Sequence, residues 1–208
     1  MTAPRRVRPA GDRALLLEFA DTAQVRTAHA TLAAQKPQGV RDVVPGALTL
    51  LVVSDRTAAD TLRFAIDMAL DEGQGPVDPE TKSAPINIAA RYDGDDLHAV
   101  AAQIGVSVEE VVARHTAALY TAQFCGFAPG FVYLSGLDPL LYLPRLDTPR
   151  TAVPSGSVAI ADRYTGIYPR PSPGGWHLLA RTQAELFDPD RDPPALLSPG
   201  SELRFTAQ

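Results

Sequence analysis

The 208-residue sequence has one cysteine, Cys125, which excludes an internal disulfide framework and any zinc site built from several thiolates. Between Phe124 and Phe127 that thiol has apolar neighbours, so a buried, unreactive thiol is expected. Long apolar runs are also missing. The longest, Ala47 to Val53, is far short of the ~20 residues a membrane-spanning helix needs, and the N-terminal MTAPRRVRPAGDR has no apolar secretory core. A cytoplasmic protein without membrane contact is the expectation. Positive charge is scarce: 19 Lys and Arg stand against 24 Asp and Glu, for a net charge of -5 and a pI near 5.3. A large basic surface for nucleic acid is thereby excluded. The chain also lacks a G-x-x-x-x-G-K-S/T phosphate loop, a G-x-G-x-x-G turn after a strand, H-E-x-x-H and a G-x-S-x-G elbow. A nucleotide, if one is used, needs another surface or another subunit.

What is present suits one large domain or two small ones, with 45% hydrophobic and 21% charged residues. VRPAGDRALLLEFA reads as two strands around a turn, followed by a helix capped by Asp21 and running through Ala34, then a strand over Gly39 to Val44. After the Pro45-Gly46 turn, ALTLLVV reads as a buried strand, and Ser54 or Asp55 caps a helix to about Asp71, with Gly73 beyond it. The resulting ββαββα order suits a small open sheet with helices on one face. GQGPVDPETKSAP, polar and carrying three prolines, reads as a linker. The boundary is placed near residue 80, giving an α+β chain with domains 1–80 and 81–208.

Past a strand at Ile86 to Tyr92, a helix over Asp96 to Ile104 stops at Gly105, and Ser107 with Glu110 opens another. Together they look like a DNA-binding helix-turn-helix. Between Asp93 and His115, however, five carboxylates stand against one arginine, Arg114, and the recognition helix would offer Glu109 and Glu110 to the DNA at its N-terminal end, where base contacts are made. Packing through Leu97, Val100, Ala101, Ile104, Val108, Val111 and Val112 explains the pattern without DNA. From Gly126 to Gly200 the character changes: 12 of 19 prolines and 8 of 15 glycines fall there among short β-prone pieces. Long helices are excluded and a loop-rich β-barrel or sandwich is expected.

That segment holds most candidate site residues, because sites favour loops on a scaffold. Arg145 and Arg150 each sit beside a proline, so stiff backbone can aim two guanidinium forks at one carboxylate or phosphate; the bland reading is two surface charges. Pro154-Ser155-Gly156-Ser157 offers amides for an anion or oxyanion, or is a plain turn. Pro173-Gly174-Gly175-Trp176 combines a close-approach turn with an aromatic plate that covers a ligand or plugs the core. His115, late in a helix whose dipole favours its protonated form, is a candidate acid or base, or a structural histidine. His29, His98 and His177 have no spacing that suggests a metal.

These residues resemble the KipI family, also called allophanate hydrolase subunit 1 or the B-type subunit of 5-oxoprolinase. Its blocks GF-x-PGF-x-YL-x-GL, PR-x-x-x-PR-x-x-VP-x-GSV-x-IA, TG-x-YP and SPGGW stand here at Gly126 to Leu137, Pro144 to Ala161, Thr165 to Pro169 and Ser172 to Trp176. The resemblance implies an N-terminal α/β domain followed by a cyclophilin-like β-barrel. It implies a KipA-like partner, the C-type subunit of 5-oxoprolinase, and a third subunit of the lactam-utilisation type. It also implies ATP with magnesium, shared with the partner, for opening 5-oxo-L-proline to L-glutamate. Family members are also tied to histidine-kinase inhibition and to breakdown of allophanate and other urea-derived carboxamides. On that chemistry His115, Arg145 and Arg150 are expected to be catalytic residues and Gly156, Ser157, Thr165, Tyr168, Gly174, Gly175 and Trp176 substrate-binding residues. One departure stands out: RYDGDDL is shortened and lacks the proline of the family pattern, so the loop at Asp93 to Asp96 alters specificity if it touches substrate.

Overall fold

The structure is a computed structural model that describes residues 4–55, 57–72 and 84–208. The chain divides into two compact units, Met1–Lys82 and Ser83–Gln208. Most of the polar segment 73–85, with the Gly73 stop and the boundary near residue 80, lies outside the described residues.

In the first unit the ββαββα order is present as β1 (Arg6–Pro9), β2 (Ala14–Glu18), α1 (Thr22–Gln35), β3 (Val40–Pro45), β4 (Thr49–Ser54) and α2 (Ala59–Glu72). The strands make one antiparallel sheet in the order β1-β2-β4-β3. Leu17 pairs with Leu50 and Leu15 with Val52, so the two-residue period of the strands puts all four on one face. Val25, Ala28 and Leu32 of α1 and Leu62, Ile66 and Ala69 of α2 cover that face. The Asp21 carboxylate accepts the Gln24 amide at 2.8 Å and starts α1 as expected. Two local readings are corrected. ALTLLVV is not buried throughout, because β4 alternates buried and half-buried residues and helices cover one face only. The second helix begins at Ala59: the Ser54 amide donates to Arg13 O at 2.8 Å and the Asp55 amide to Gly39 O at 3.1 Å, which keeps both residues with the sheet.

The second unit contains β5 (Ile86–Ala90), α3 (Leu97–Ile104), α4 (Val108–Ala117), β6 (Tyr120–Cys125), β7 (Val132–Ser135), β8 (Arg150–Val153), β9 (Ser157–Ala161), β10 (Tyr164–Ile167), β11 (Ser172–Gly174), β12 (His177–Arg181) and β13 (Glu202–Ala207). Seven strands follow one another as β12-β9-β10-β7-β6-β13-β5. The ends of that row meet where Arg91 and Arg181 exchange two backbone hydrogen bonds of 2.8 Å, so the sheet is a nearly closed barrel. Its inward face carries Ile88, Tyr120, Leu134, Ile160 and Phe205, joined by Leu97, Val100 and Val111 from α3 and α4. The opposite face of β9, β10 and β7 carries Ala159, Ala161, Tyr164 and Tyr133, packed with Val153 of the two-stranded ribbon β8–β11.

The helix-turn-helix lookalike is accounted for by packing. Gly105 ends α3 with φ 75°, and Ser107 Oγ accepts the Glu110 amide at 3.2 Å. Arg114 is paired with Glu110 at 2.6 Å and Asp138 at 2.9 Å. Among the described residues no helix is long and apolar enough to cross a membrane.

Leu50 is fully buried between the first sheet and its helices. Leu50→Ala is expected to lower the unfolding free energy by about 2–5 kcal/mol. Val44→Ala, at an exposed position of β3, is expected to change it by at most about 0.5 kcal/mol. Urea denaturation of the two variants checks the contrast.

Candidate functional site

Three contacts fasten the segment Pro144 to Arg150 to the outside of the barrel. His177 Nε2 donates to Pro144 O at 2.9 Å, the Leu146 amide donates to Gly175 O at 2.8 Å, and the Arg150 guanidinium meets Asp96 Oδ1 at 2.5 Å. The other oxygen of Asp96 accepts the Leu178 amide at 2.7 Å. Asp96 stands at the N-terminus of α3 but makes no side-chain cap there, since both oxygens are used elsewhere. Arg145 lies between the first two fastenings, exposed, and makes no ion pair among the described residues.

The charges of Arg145 and Arg150 both act on the buried Tyr168 hydroxyl. Desolvation raises the pKa of the Tyr168 hydroxyl, against the opposing influence of the Arg145 charge, the Trp176 amide and the Arg150 charge. Gly174 leaves room for that hydroxyl, because a Cβ there would overlap the Tyr168 oxygen. Tyr168 is 2% and Trp176 5% exposed. The Trp176 ring stands edge-on to Phe131 at 5.5 Å and to Tyr133 at 5.6 Å. The expectation of an aromatic plate over a ligand is therefore corrected: Trp176 is a core plug. Phe127, which no sequence signal singled out, is the exposed ring of this layer. Its backbone has φ 68°, uncommon for a bulky residue, and its ring meets the edges of Phe131 at 5.3 Å and Tyr168 at 6.1 Å.

His115 is elsewhere, inside the barrel, with no exposed surface. Thr165 Oγ1 donates to Ala159 O at 3.0 Å, so its oxygen accepts from His115 Nε2 at 3.0 Å, and the Tyr92 hydroxyl donates to His115 Nδ1 at 2.7 Å. Burial pushes the His115 pKa down to about 3. The ring is neutral and both nitrogens are engaged, which corrects the reading of a protonated helix-end histidine that moves protons. Desolvation of the imidazolium outweighs the helix dipole. Thr165 is fully buried against His115, so its assignment to substrate is corrected too.

Two amides of the Pro154-Ser155-Gly156-Ser157 turn are likewise committed. The Gly156 amide donates to Tyr168 O at 2.8 Å and the Ser157 amide to Pro154 O at 3.3 Å. Gly156 has φ 79°, and a Cβ there would overlap the Thr182 carbonyl oxygen, so this glycine serves a tight turn rather than an oxyanion nest. Ser157 is buried and Gly175 takes part through its carbonyl in holding Leu146. Cys125 is exposed, against expectation, although desolvation raises its thiol pKa. Among the described residues no group of three or more His, Cys, Asp and Glu side chains is placed to hold a metal. The shortened loop docks along β12: the Gly94 amide donates to Leu179 O and the Asp96 amide to Leu178 O, each at 3.0 Å. Asp93 pairs with Arg91 and Arg181, and Asp95 with Arg181 at 3.3 Å.

Of the residues singled out from sequence, the structure thus gathers Arg145, Arg150, Tyr168, Gly174, Gly175 and Trp176 on the outer face and removes His115 and Thr165 to the core. Asp96 was legible only as a helix start. Its signal was a carboxylate at an N-cap position ahead of Leu97, which says nothing about partners 54 and 82 residues away.

A ββαββα unit and a nearly closed barrel with an arginine-bearing outer face define a carboxyltransferase-type chain: it belongs to the family described as carboxyltransferase domain, subdomain C and D, which matches residues 5–197. Among curated proteins, the 5-oxoprolinase B subunit of Escherichia coli O157:H7 is 38% identical over 179 residues, 81% of this chain and 78% of that protein. The 5-oxoprolinase B subunit of Bacillus subtilis (strain 168) is 31% identical over 99% of this chain and 93% of its own. Among solved structures, TTHA0988 superposes with a TM-score of 0.80 at 35% identity over 94% of this chain, which spans 39% of that longer chain. Kluyveromyces lactis urea carboxylase, 18% identical with a TM-score of 0.70 over 97% of this chain and 21% of its own, shares the fold.

Two measurements test the geometry. Asp96→Ala strands the Arg150 charge and the Leu178 amide, and is expected to lower the unfolding free energy by about 2–3 kcal/mol; Asp96→Asn, which keeps an acceptor, is expected to cost less. For His115 the folded pKa of about 3 lies below the ordinary 6.5, so the unfolded chain takes up the proton first. Its contribution to stability is complete above about pH 6.5 and is lost as pH falls toward 3, by about 1.4 kcal/mol per pH unit. Urea unfolding at about pH 7 and about pH 5 is expected to show roughly 2 kcal/mol of this loss in the native chain and none of it in His115→Gln.

Proposed function

We propose that this chain is the B-type subunit of an ATP-dependent 5-oxoprolinase that opens 5-oxo-L-proline to L-glutamate, working with a KipA-like C-type subunit and a lactam-utilisation-type third subunit. The observation that carries this reading is identity above 30% with proteins named as B subunits of 5-oxoprolinase over most of the chain. The site's chemistry is compatible with it. The substrate carries a carboxylate, and Arg145 offers an exposed guanidinium on a segment whose backbone is fastened on either side, at Pro144 and Leu146. Arg150, neutralised by Asp96, anchors the end of that segment and is a positioning residue.

The ring amide is a poor electrophile, and its activation is the chemistry that ATP supplies. The amides of Gly156 and Ser157 are spent on carbonyls and Arg150 is spent on Asp96, so this reading assigns none of these three groups to a phosphate. The reading accordingly has magnesium-bound ATP shared with a partner subunit.

Co-expression of this chain with the KipA-like partner, addition of the third component and measurement of ATP-dependent glutamate release from 5-oxo-L-proline tests the reading. Glutamate is expected only with all components present; a stable complex that releases none moves the substrate to another carboxamide. In the active complex Arg145→Ala is expected to lower kcat/KM at least about tenfold without loss of the fold, and a smaller effect removes Arg145 from the substrate site.

A further inference from the structure

The barrel is open at one place. Arg91 and Arg181 bridge β5 to β12, yet among the described residues no other pair joins these strands, and β5 is bonded along its length to β13 alone. The Arg91 amide and carbonyl both point to Arg181. Backbone direction alternates along a strand, so the amide and carbonyl of Ala89 and of Asn87 point to that same side. Those of Ala90 point the other way, where its carbonyl accepts the Gln208 amide at 3.1 Å. The side chains follow suit: Ile88 and Ala90 are buried in the barrel, whereas Asn87 is exposed and Ala89 half-buried.

A longer β12 would cover this edge. Instead β12 ends at Arg181, and the Ala184 amide folds back onto Thr182 Oγ1 at 3.2 Å. The space left is a cleft of about 690 Å3 lined by Asn87, Ala89, Ser155, Arg181, Gln183 and Gln208, among others. Its volume falls within the range of about 300–1,000 Å3 usual for ligand clefts.

We infer that this cleft takes one extended strand of a partner polypeptide, which pairs with Asn87 and Ala89 antiparallel to β5 and completes the barrel. The inference rests on the subunit reading above, which supplies the partner. Two outward donor–acceptor pairs about 6.6–6.8 Å apart are matched by an extended peptide backbone. The walls set the guest's side chains. Arg91 and Arg181 are offset by Asp93 and Asp95, and the rest of the lining offers amides, the hydroxyls of Ser155 and Thr182 and small apolar surface, so uncharged polar or small residues fit best. An exposed edge of this kind is a site that proteins otherwise block.

Amide hydrogen exchange over residues 86–91 of the unmodified chain, alone and in complex with the KipA-like partner, tests the inference. Slowing of Asn87 and Ala89 by at least about tenfold in the complex is expected. A complex that forms without this protection overturns the docking strand and leaves the subunit reading standing; failure to form any complex overturns both. Protection that appears in the chain alone and rises with its concentration assigns the edge to a second copy and overturns the partner assignment. Ala89→Pro removes the amide on the open side while the Ile88 and Ala90 pairing with β13 is retained. This variant is expected to weaken the complex at least about tenfold; unchanged affinity in a folded variant overturns the proposal.

Discussion

One carboxylate holds the outer face of the barrel in place. Asp96 has two oxygens and divides them between the Arg150 guanidinium of β8 and the Leu178 amide of β12, while its own amide bonds to Leu178 O. A single residue thereby joins the N-terminus of α3, the covering ribbon and the first strand of the barrel row. Charge-assisted hydrogen bonds are roughly twice as strong as neutral ones, and here they close contacts over 54 and 82 residues of sequence. The position of Arg145 follows from this, since the segment that carries it ends at the Arg150 anchor.

Inside the barrel a second polar link does comparable work without charge. His115 joins α4 to β10 through Thr165 and to the segment after β5 through Tyr92, while its ring lies 4.8 Å from Phe205 and 5.3 Å from Tyr120. A buried polar group is tolerated when its partners are all present. That condition is met by the neutral tautomer with the proton on Nε2, which donates to Thr165 and accepts from Tyr92, while burial disfavours the imidazolium. The same features that mark a histidine as a candidate base therefore secure it as a cross-link.

The sequence was most informative where the physics is local. Asp21 and Ser107 cap helices because the amides they accept from lie three residues on, and Gly105 stops α3 because its own backbone turns left-handed. The ββαββα order follows from alternation and turn residues within short windows. Partners distant in the chain were not legible. The Gly156 amide looked available because the Tyr168 carbonyl that occupies it comes from the far end of the next hairpin. Cys125 shows the sensitivity of strand faces: the register of β6 against β7 shifts between Ala122 and Phe124, and a one-residue shift carries the following side chains to the other face.

The outer and inner faces of this barrel thus divide their labour by how far each polar group is already satisfied. Inside, His115 and Thr165 are saturated and inert. Outside, the Gly156 and Ser157 amides and Arg150 are engaged too, while Arg145 is a cation whose charge is not spent on an ion pair among the described residues. A guanidinium recognises an anion but does not exchange protons at neutral pH. On the proposed reading, this surface binds and orients a carboxylate, and proton transfer and phosphoryl chemistry fall to groups that a partner brings to it. A subunit of that kind needs a rigid face more than a reactive one, and Asp96 supplies the rigidity.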